Sequence, residues 1–511
     1  MWALLLLLLP ALAQASFPVG SLKGHLTLSE LEAWQASKLR ENPALMRQLD
    51  LGRSVHNRSL TALCLGEACV NNHSLANEVL YTALHHAREP LGMMSLVAFV
   101  HDLLGKHAQG DLSIKRLLRQ TTLYFILVVN PDGYVDNETN LNQMRRKNLG
   151  KYCTSEVAKV RDQESGVDLN RNYQFCFDRD EVGGNRNECE IDYQGPHAFS
   201  EPETRAVRDF VLQRNFKVAF NYHSFGRQIY LPYSCQAEGA TKDNAFFFRF
   251  AARITRNTAY QYGQPWNSGL YSVNGDASDW MYSERGIIAV SPEVAPSDPV
   301  ASERAGFWVP TSTVHNLARE TLEMNLAGAW TAGVCFDVMV TAQGKLLVVN
   351  AGLLPPAQGP ILVVGWGEVW QTSTDLQIKG QVTVEVEREW VVPNDHQATA
   401  MVGVKDAGGN CAVFAVNAAG SRPVYRGVDT DPPCAKLFDG DGNLGGSDGD
   451  AGETHPQQDG VQRVAIVVLV VVVLSLLGLC MWRWRTMATT TQTFQPIPVV
   501  MSSENEDEEQ V

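Results

Sequence analysis

From Leu26 to Leu326 the chain alternates short apolar runs of strand length with amphipathic stretches of helical length. Thr27-Leu-Ser-Glu30 has the form of a capping box and predicts a helix running towards Leu49. Asn77 to Leu84 reads as a strand, and Pro90 can open the helix that follows it, through Leu104. Thr121 to Val129 reads as a second, buried strand, ended by the turn signal Asn130-Pro-Asp-Gly-Tyr134. Glu203 to Arg214 has a helical pattern, and Lys217 to Tyr222 is a strand that delivers His223. Such alternation predicts an α/β domain, here assigned to residues 16–335, with its chemistry at strand ends.

Around Cys335 the pattern changes. Residues 336–432 carry β-branched runs such as Ile361-Leu-Val-Val364 between Gly/Pro turns, and predict a small all-β sandwich. Residues 433–463 are Gly/Asp-rich and read as a linker. Asp439-Gly-Asp-Gly-Asn443 has the look of a calcium loop, but the acid that should close it is misplaced.

Two apolar segments lie outside these domains. Residues 1–15 are Leu-rich and end in Ala13-Gln14-Ala15, the form of a signal peptide. Val464 to Trp482 is uncharged and long enough to span a bilayer as one helix. Arg483 and Arg485 follow it directly, which places the acidic tail, residues 483–511, in the cytoplasm. The expectation is a single-pass type I membrane protein with its α/β domain lumenal or extracellular, on the secretory pathway or at the cell surface. The tail could meet trafficking partners, which the sequence does not name. Cys480 lies inside the span, so nine of the 10 cysteines are on the lumenal side, where disulfides persist. Asn57-Arg-Ser, Asn72-His-Ser and Asn137-Glu-Thr are glycosylation sequons on that same side. The net charge of −14 argues against nucleic acid as a partner, although part of it belongs to the linker and tail.

The candidate chemistry centres on His86-Ala-Arg-Glu89, with His223 and Glu293 downstream. Two histidines and a glutamate form one of the standard catalytic zinc sets, which leaves a coordination position open. Singly, each feature has a plain alternative. His85 could be a loop residue or replace His86 as ligand, Arg145-Arg146-Lys147 could be a solvated basic run, and Asp168 a turn residue. Asn170-Arg171 could be a helix cap, Tyr271 a packing residue, and Glu293 a surface carboxylate.

Their order carries more than any one of them. His86, Asn130-Pro-Asp-Gly-Tyr134, Arg146-Lys147, Gly166-Val-Asp-Leu-Asn-Arg-Asn172, His223-Ser224, Tyr271, Asp279-Trp280 and Ser291-Pro-Glu-Val294 follow one another along the chain. The set closely resembles the zinc metallocarboxypeptidases of the carboxypeptidase A/B kind. That resemblance implies a mixed eight-stranded twisted sheet with helices on both faces and one zinc ion held by His86, Glu89 and His223. It further implies hydrolysis of the C-terminal peptide bond of peptides or proteins by an activated water. Glu293 would be the general base and Arg146 the oxyanion stabiliser. Asn170, Arg171 and Tyr271 would hold the terminal carboxylate, Arg88 and Ser224 would line the outer cleft, and Asp168 would orient His86. A guanidinium suits a carboxylate because its fork pairs bidentately.

The resemblance leaves the preferred side chain open. Ser278 aligns near the pocket floor, Ser234 near the acid of a related branch, and Asp276 stands two residues before Ser278. Asp276 reads either as a charge for Lys or Arg or as a turn carboxylate, and Trp266 either narrows the pocket or packs. The short stretch between leader and first helix leads us to expect no activation cleavage. Cys153 is expected to pair with Cys176 or Cys189 around the Asn170-Arg171 loop, and Cys64 with Cys69. A catalytically silent receptor or adhesion ectodomain on the same fold is the alternative function, and a narrower one is cleavage of a non-standard linkage such as a γ-glutamyl bond.

Overall fold

The computed structural model describes residues 17–71, 77–139, 144–153, 165–268, 271–297, 306–340 and 353, and the strands between 346 and 428 named below. The expected leader, linker, apolar span and tail lie outside these residues. No helix among the described residues is long and apolar enough to cross a membrane.

Nine strands make the main sheet: β1 (Met46–Arg53), β2 (Ser59–Leu65), β3 (Asn77–Thr82), β4 (Thr121–Ile126), β5 (Phe216–Asn221), β6 (His223–Ser224), β7 (Gln228–Tyr230), β8 (Gln261–Gly263) and β9 (Ile288–Val294). Their order is β1-β2-β4-β3-β5-β9-β7-β8, with β6 beside β9. The four central strands β4, β3, β5 and β9 are parallel, while β1, β2 and β7 pair antiparallel with their inner neighbours. The path therefore has the eight strands expected of a mixed sheet, and the two-residue β6 adds a ninth.

Parallel strands are covered on both faces, so their sequences read as apolar runs rather than alternations. Val79, Leu80 and Tyr81 of β3 and Val218, Ala219 and Phe220 of β5 are fully buried. The Tyr81 ring stacks between Phe125 and Phe220, with centroids 5.0 and 5.2 Å away, and its hydroxyl donates to the Asn325 carbonyl at 2.8 Å. The connecting helices are α1 (Leu28–Glu41), α2 (Pro90–Ala108), α3 (Leu112–Gln120), α4 (Pro131–Thr139), α5 (Pro202–Leu212), α6 (Asn244–Ile254), α7 (Ala277–Arg285), α8 (Thr311–Arg319) and α9 (Leu322–Thr331). α2 is buried along most of its length; a Cβ on its Gly92 would lie 2.9 Å from Tyr222 Cβ, so the helix seats closely on the strand end that leads to His223.

Two local expectations are corrected. The Thr27 capping box forms, but α1 stops at Glu41 instead of running towards Leu49. Asn42 precedes Pro43, and a residue before proline is driven out of the helical region; the chain then enters edge strand β1. Asn130 to Tyr134 opens a helix rather than ending in a turn. Asn130 Oδ1 accepts the Gly133 N–H at 3.0 Å, and Pro131 takes the first helical position, where a missing N–H costs nothing.

Beyond Cys335, the described strands are β10 (Phe336–Val340), β11 (Leu346–Asn350), β12 (Ile361–Trp366), β13 (Val369–Ser373), β14 (Val384–Glu385), β15 (Ala400–Lys405), β16 (Asn410–Asn417) and β17 (Gly420–Val428). They pair antiparallel in two sheets, β10-β11-β14 and β13-β12-β15-β16-β17.

Candidate active site

The chemistry gathers where the parallel strands end. His86 and Glu89 occupy the turn from β3 into α2. Glu89 sits at the N-cap of α2 but makes no capping bond, so its carboxylate is free to face inward. β5 ends at Asn221, and one residue later His223 pairs in register with Glu293 of β9. Residues from three strands thus meet at one edge of the sheet, as open α/β sheets generally arrange.

His86 Nδ1 lies 2.9 Å from Glu89 Oε1, His223 Nδ1 lies 3.0 Å from Glu89 Oε2, and the two Nδ1 atoms are 3.1 Å apart. Among the described residues these three form the group whose donor atoms all lie within 4.8 Å of one another. His86 Nε2 faces Asp168 Oδ1 at 3.1 Å. That contact fixes the proton on Nε2 and turns the Nδ1 lone pair to the cluster. Two imidazole nitrogens and a carboxylate crowded this closely are held together by a shared proton or by a cation. The donor set therefore fits zinc.

Burial alone would raise the Glu89 carboxyl, but His86 and His223 outweigh it and hold it well below the usual carboxylate range. The same balance acts on Asp168, where burial is overcome by Arg146, Arg171 and His86. Glu293, half-buried, goes the other way. Burial pushes its carboxyl up to about 8, with Glu89 and Asp276 adding to the rise and His223 and Arg146 opposing it.

Asp168 organises the rest. One oxygen receives the Asn170 N–H at 2.9 Å as well as His86, and the other receives Arg146 Nε at 2.8 Å. Arg146 Nη1 stands 3.8 Å from Glu89 Oε1, beside the cluster. The buried Arg171 guanidinium has its Nη1 on the Asn170 carbonyl at 3.0 Å, while its Nε has no hydrogen-bond partner among the described residues. A buried unmatched donor is costly unless something is to bind it. Tyr271 is 52 % exposed, with its ring 5.9 Å from Arg171 Cζ. Arg88 stacks its guanidinium 4.2 Å above the Phe307 ring, and Ser224 Oγ is buried without a hydrogen-bond partner among the described residues.

His86, Glu89, His223, Glu293, Arg146, Arg88, Asn170, Arg171, Ser224 and Tyr271 all line one cleft of about 200 Å³, and Asp168 stands behind it. His85 is outside the cluster. Its Nε2 meets the Tyr173 hydroxyl at 2.9 Å, and burial together with His223 and His86 lowers its pKa well below the ordinary value. Trp266 packs, donating Nε1–H to the Tyr233 carbonyl at 3.0 Å; its neighbour Pro265 lines the cleft. Ser278 does not line it, for its Oγ is taken by Asn221 Nδ2 and Ser291 Oγ, each at 2.8 Å. Asp276 does line it. Its Oδ1 caps α7 through the N–H groups of Ser278 and Asp279, and its Oδ2 accepts Asn170 Nδ2 at 2.8 Å. Sequence reasoning missed Tyr230, Ser291, Val273 and Phe307 as wall residues, and no local pattern marks them. The capping role of Asp276 was legible as an acid after Gly275 at the head of a helix.

Disulfides staple the loops that carry these groups. Cys64 joins Cys69 as expected, and of the two partners left open for Cys153 the structure selects Cys189. The third bond, Cys176–Cys235, was not expected; it ties the segment after Arg171 to the loop holding Ser234.

Comparisons with known proteins agree with the geometry. The chain is 27% identical over 301 residues to carboxypeptidase B of Homo sapiens, covering 57% of this chain and 66% of that protein. It is also 27% identical to carboxypeptidase B of Astacus astacus, covering 58% of this chain and 92% of that protein, and to zinc carboxypeptidase A 1 of Anopheles gambiae. The chain spans about two thirds of the length of the vertebrate relatives it matches. Among solved structures, bovine thrombin-activatable fibrinolysis inhibitor, in complex with tick carboxypeptidase inhibitor, aligns with a TM-score of 0.51 and 24% identity. That alignment covers 61% of this chain and 99% of the other, and bears on the fold. The family model described as zinc carboxypeptidase matches residues 31–324, more than half of the chain. One zinc ion per catalytic domain goes with that family, and the cluster at the strand ends has the donors for it. The chain belongs to the zinc carboxypeptidase family.

Proposed function

We propose that this protein is a zinc-dependent carboxypeptidase that removes single residues from the C-termini of peptides or proteins. The observation that carries the reading is the meeting of His86, Glu89 and His223 with Glu293, Arg146 and Arg171 in one cleft. Zinc held by His86, Glu89 and His223 would polarise the scissile carbonyl and make a water acidic enough to attack at neutral pH. Glu293 takes the proton from that water and passes it to the leaving amine. A cation held in the cluster would lower the Glu293 carboxyl from its raised position, towards the neutral range where a base works. Arg146, held by Asp168, meets the negative charge that develops on the carbonyl oxygen. Arg171, Asn170 and Tyr271 receive the terminal carboxylate, which restricts cleavage to chain ends.

Asp276 supports a preference for Lys or Arg at the cleaved position. It is buried in the cleft wall, and no Lys or Arg pairs with it among the described residues. Asp276→Asn keeps the shape and the cap but removes the charge and the acceptor facing Asn170 Nδ2. It should lower kcat/KM for Lys-ended peptides by about tenfold or more while sparing Leu-ended ones; equal loss on both would assign Asp276 to positioning Asn170.

The apolar run Val464 to Trp482 and the disulfides support a type I anchor with the catalytic domain in the lumen or outside the cell, and residues 336–432 as an accessory β domain. Deleting 464–482 should release the protein from membranes that retain the full chain after carbonate extraction. The decisive test of activity is C-terminal trimming of a mixed peptide library, with zinc, with chelator and with Glu293→Gln. Release that stops under both treatments supports the reading. No release from a folded, zinc-loaded protein would favour the silent ectodomain.

A further inference from the structure

Of the three sequons, Asn57-Arg-Ser and Asn137-Glu-Thr fall on described residues, and the fold treats them oppositely. Asn57 is exposed at the tip of the turn between β1 and β2, with φ at +63°. Its neighbours hold the turn to the body. Val55 N–H donates to Glu203 Oε1 at 3.0 Å, His56 N–H to Asp132 Oδ2 at 2.8 Å, and Arg58 Nη1 to Asp132 Oδ1 at 2.6 Å. The Asn57 N–H closes the turn on the Ser54 carbonyl at 2.9 Å, and its side-chain amide takes part in no hydrogen bond among the described residues. Ser59, the third residue of the sequon, is exposed as well. β1 is the edge of the sheet, and no cleft-lining residue comes from β1 or β2.

Asn137 is the reverse. It lies within α4, fully buried, and both ends of its amide are committed: Nδ2 donates to the Arg145 carbonyl at 3.0 Å and Oδ1 accepts the Arg145 N–H at 3.1 Å. This exchange positions the residue next to Arg146. A glycan on Nδ2 has no room in the folded chain and would break the bond that sets Arg146.

We propose that the folded protein carries an N-linked glycan on Asn57 and an unmodified amide at Asn137. The inference rests on the lumenal placement proposed above. In the transfer, the Asn57 amide nitrogen bonds to C1 of the first sugar of an oligosaccharide carried on a lipid pyrophosphate. The bond from C1 to the pyrophosphate oxygen breaks, the nitrogen gives up one proton, and the lipid pyrophosphate leaves.

The test is peptide mapping of the full chain, expressed in a eukaryotic secretory host, after peptide-N-glycosidase treatment, which leaves Asp wherever a glycan was attached. An Asn72→Gln background removes the remaining sequon, whose asparagine lies outside the described residues. The expected result is Asp at position 57, Asn at position 137, and one mobility shift. Asn57→Gln and, independently, Ser59→Ala should both abolish that shift while leaving peptidase activity unchanged. An unmodified Asn57 in chains whose leader has been removed overturns this assignment alone. An unmodified Asn57 in chains that keep their leader overturns the lumenal placement and this site with it. A glycan on Asn137 of folded, active chains overturns the second half.

Discussion

At the scale of single residues, the cleft divides its work between groups that react and groups that hold them. Glu293→Gln should lower kcat by about 10²-fold or more, with zinc content and KM little changed, because it removes a proton acceptor and no ligand. Metal analysis beside steady-state kinetics checks this. Asp168→Asn should weaken zinc binding by about 10- to 100-fold, since it disturbs the partner of His86 Nε2; titration with a competing chelator reads that change without an assay of activity. The candidate ligands His86 and Glu89 were legible because their spacing is a local pattern. The second role of Asp276, holding Asn170, was not, because the two are 106 positions apart and only packing brings them together.

At the scale of elements, the first turn of α5 carries a device that no motif announced. Glu203 is buried with the β1–β2 turn on one oxygen and Asn148 on the other, and Asn148 also donates to Glu201 at 2.7 Å. Burial first, and Glu201 next among the raising effects, push the Glu203 carboxyl up to about 7. A carboxyl raised by folding is ionised more easily in the unfolded chain, so its contribution to stability falls as pH rises. The loss begins near the unfolded value and is complete above the folded one, amounting to about 3 kcal/mol. Melting temperature measured between about pH 5 and pH 8 should decline, and Glu203→Gln, which mimics the protonated form, should flatten that decline. A second element-scale constraint is Gly275, at φ +65°, where a Cβ would lie 2.2 Å from the Arg171 carbonyl oxygen. Gly275→Ala should displace the Arg171 segment and raise KM more than it lowers kcat. The limits of α1 and α4 show why element boundaries were harder to read than elements. Proline at Pro43 ends a helix and proline at Pro131 begins one, and the difference lies in whether the preceding residue caps or continues it.

At the scale of the whole molecule, the proposed zinc ligands follow the ends of β3 and β5, and Glu293 lies in β9. Metal binding is therefore linked to keeping these central strands assembled. Anything that binds only the folded state stabilises it in proportion to the logarithm of its concentration over Kd, so chelation should lower the melting temperature of the catalytic domain, and zinc should restore it. Calorimetry with and without chelator tests this; an unchanged melting point would mean that the cluster holds no metal under those conditions. The sequence by itself determined the α/β alternation, the apolar central strands and the identity and order of the chemical groups. It could do so because periodicity, capping and ligand spacing act over a few residues. Only the tertiary structure decided that Cys176 pairs with Cys235, that Asp276 and not Ser278 faces the cleft, and that Asn57 is open while Asn137 is closed. Each of these depends on which distant strands and loops become neighbours. That is set by the packing of the sheet and its helices as a whole, and no local stretch of residues contains it.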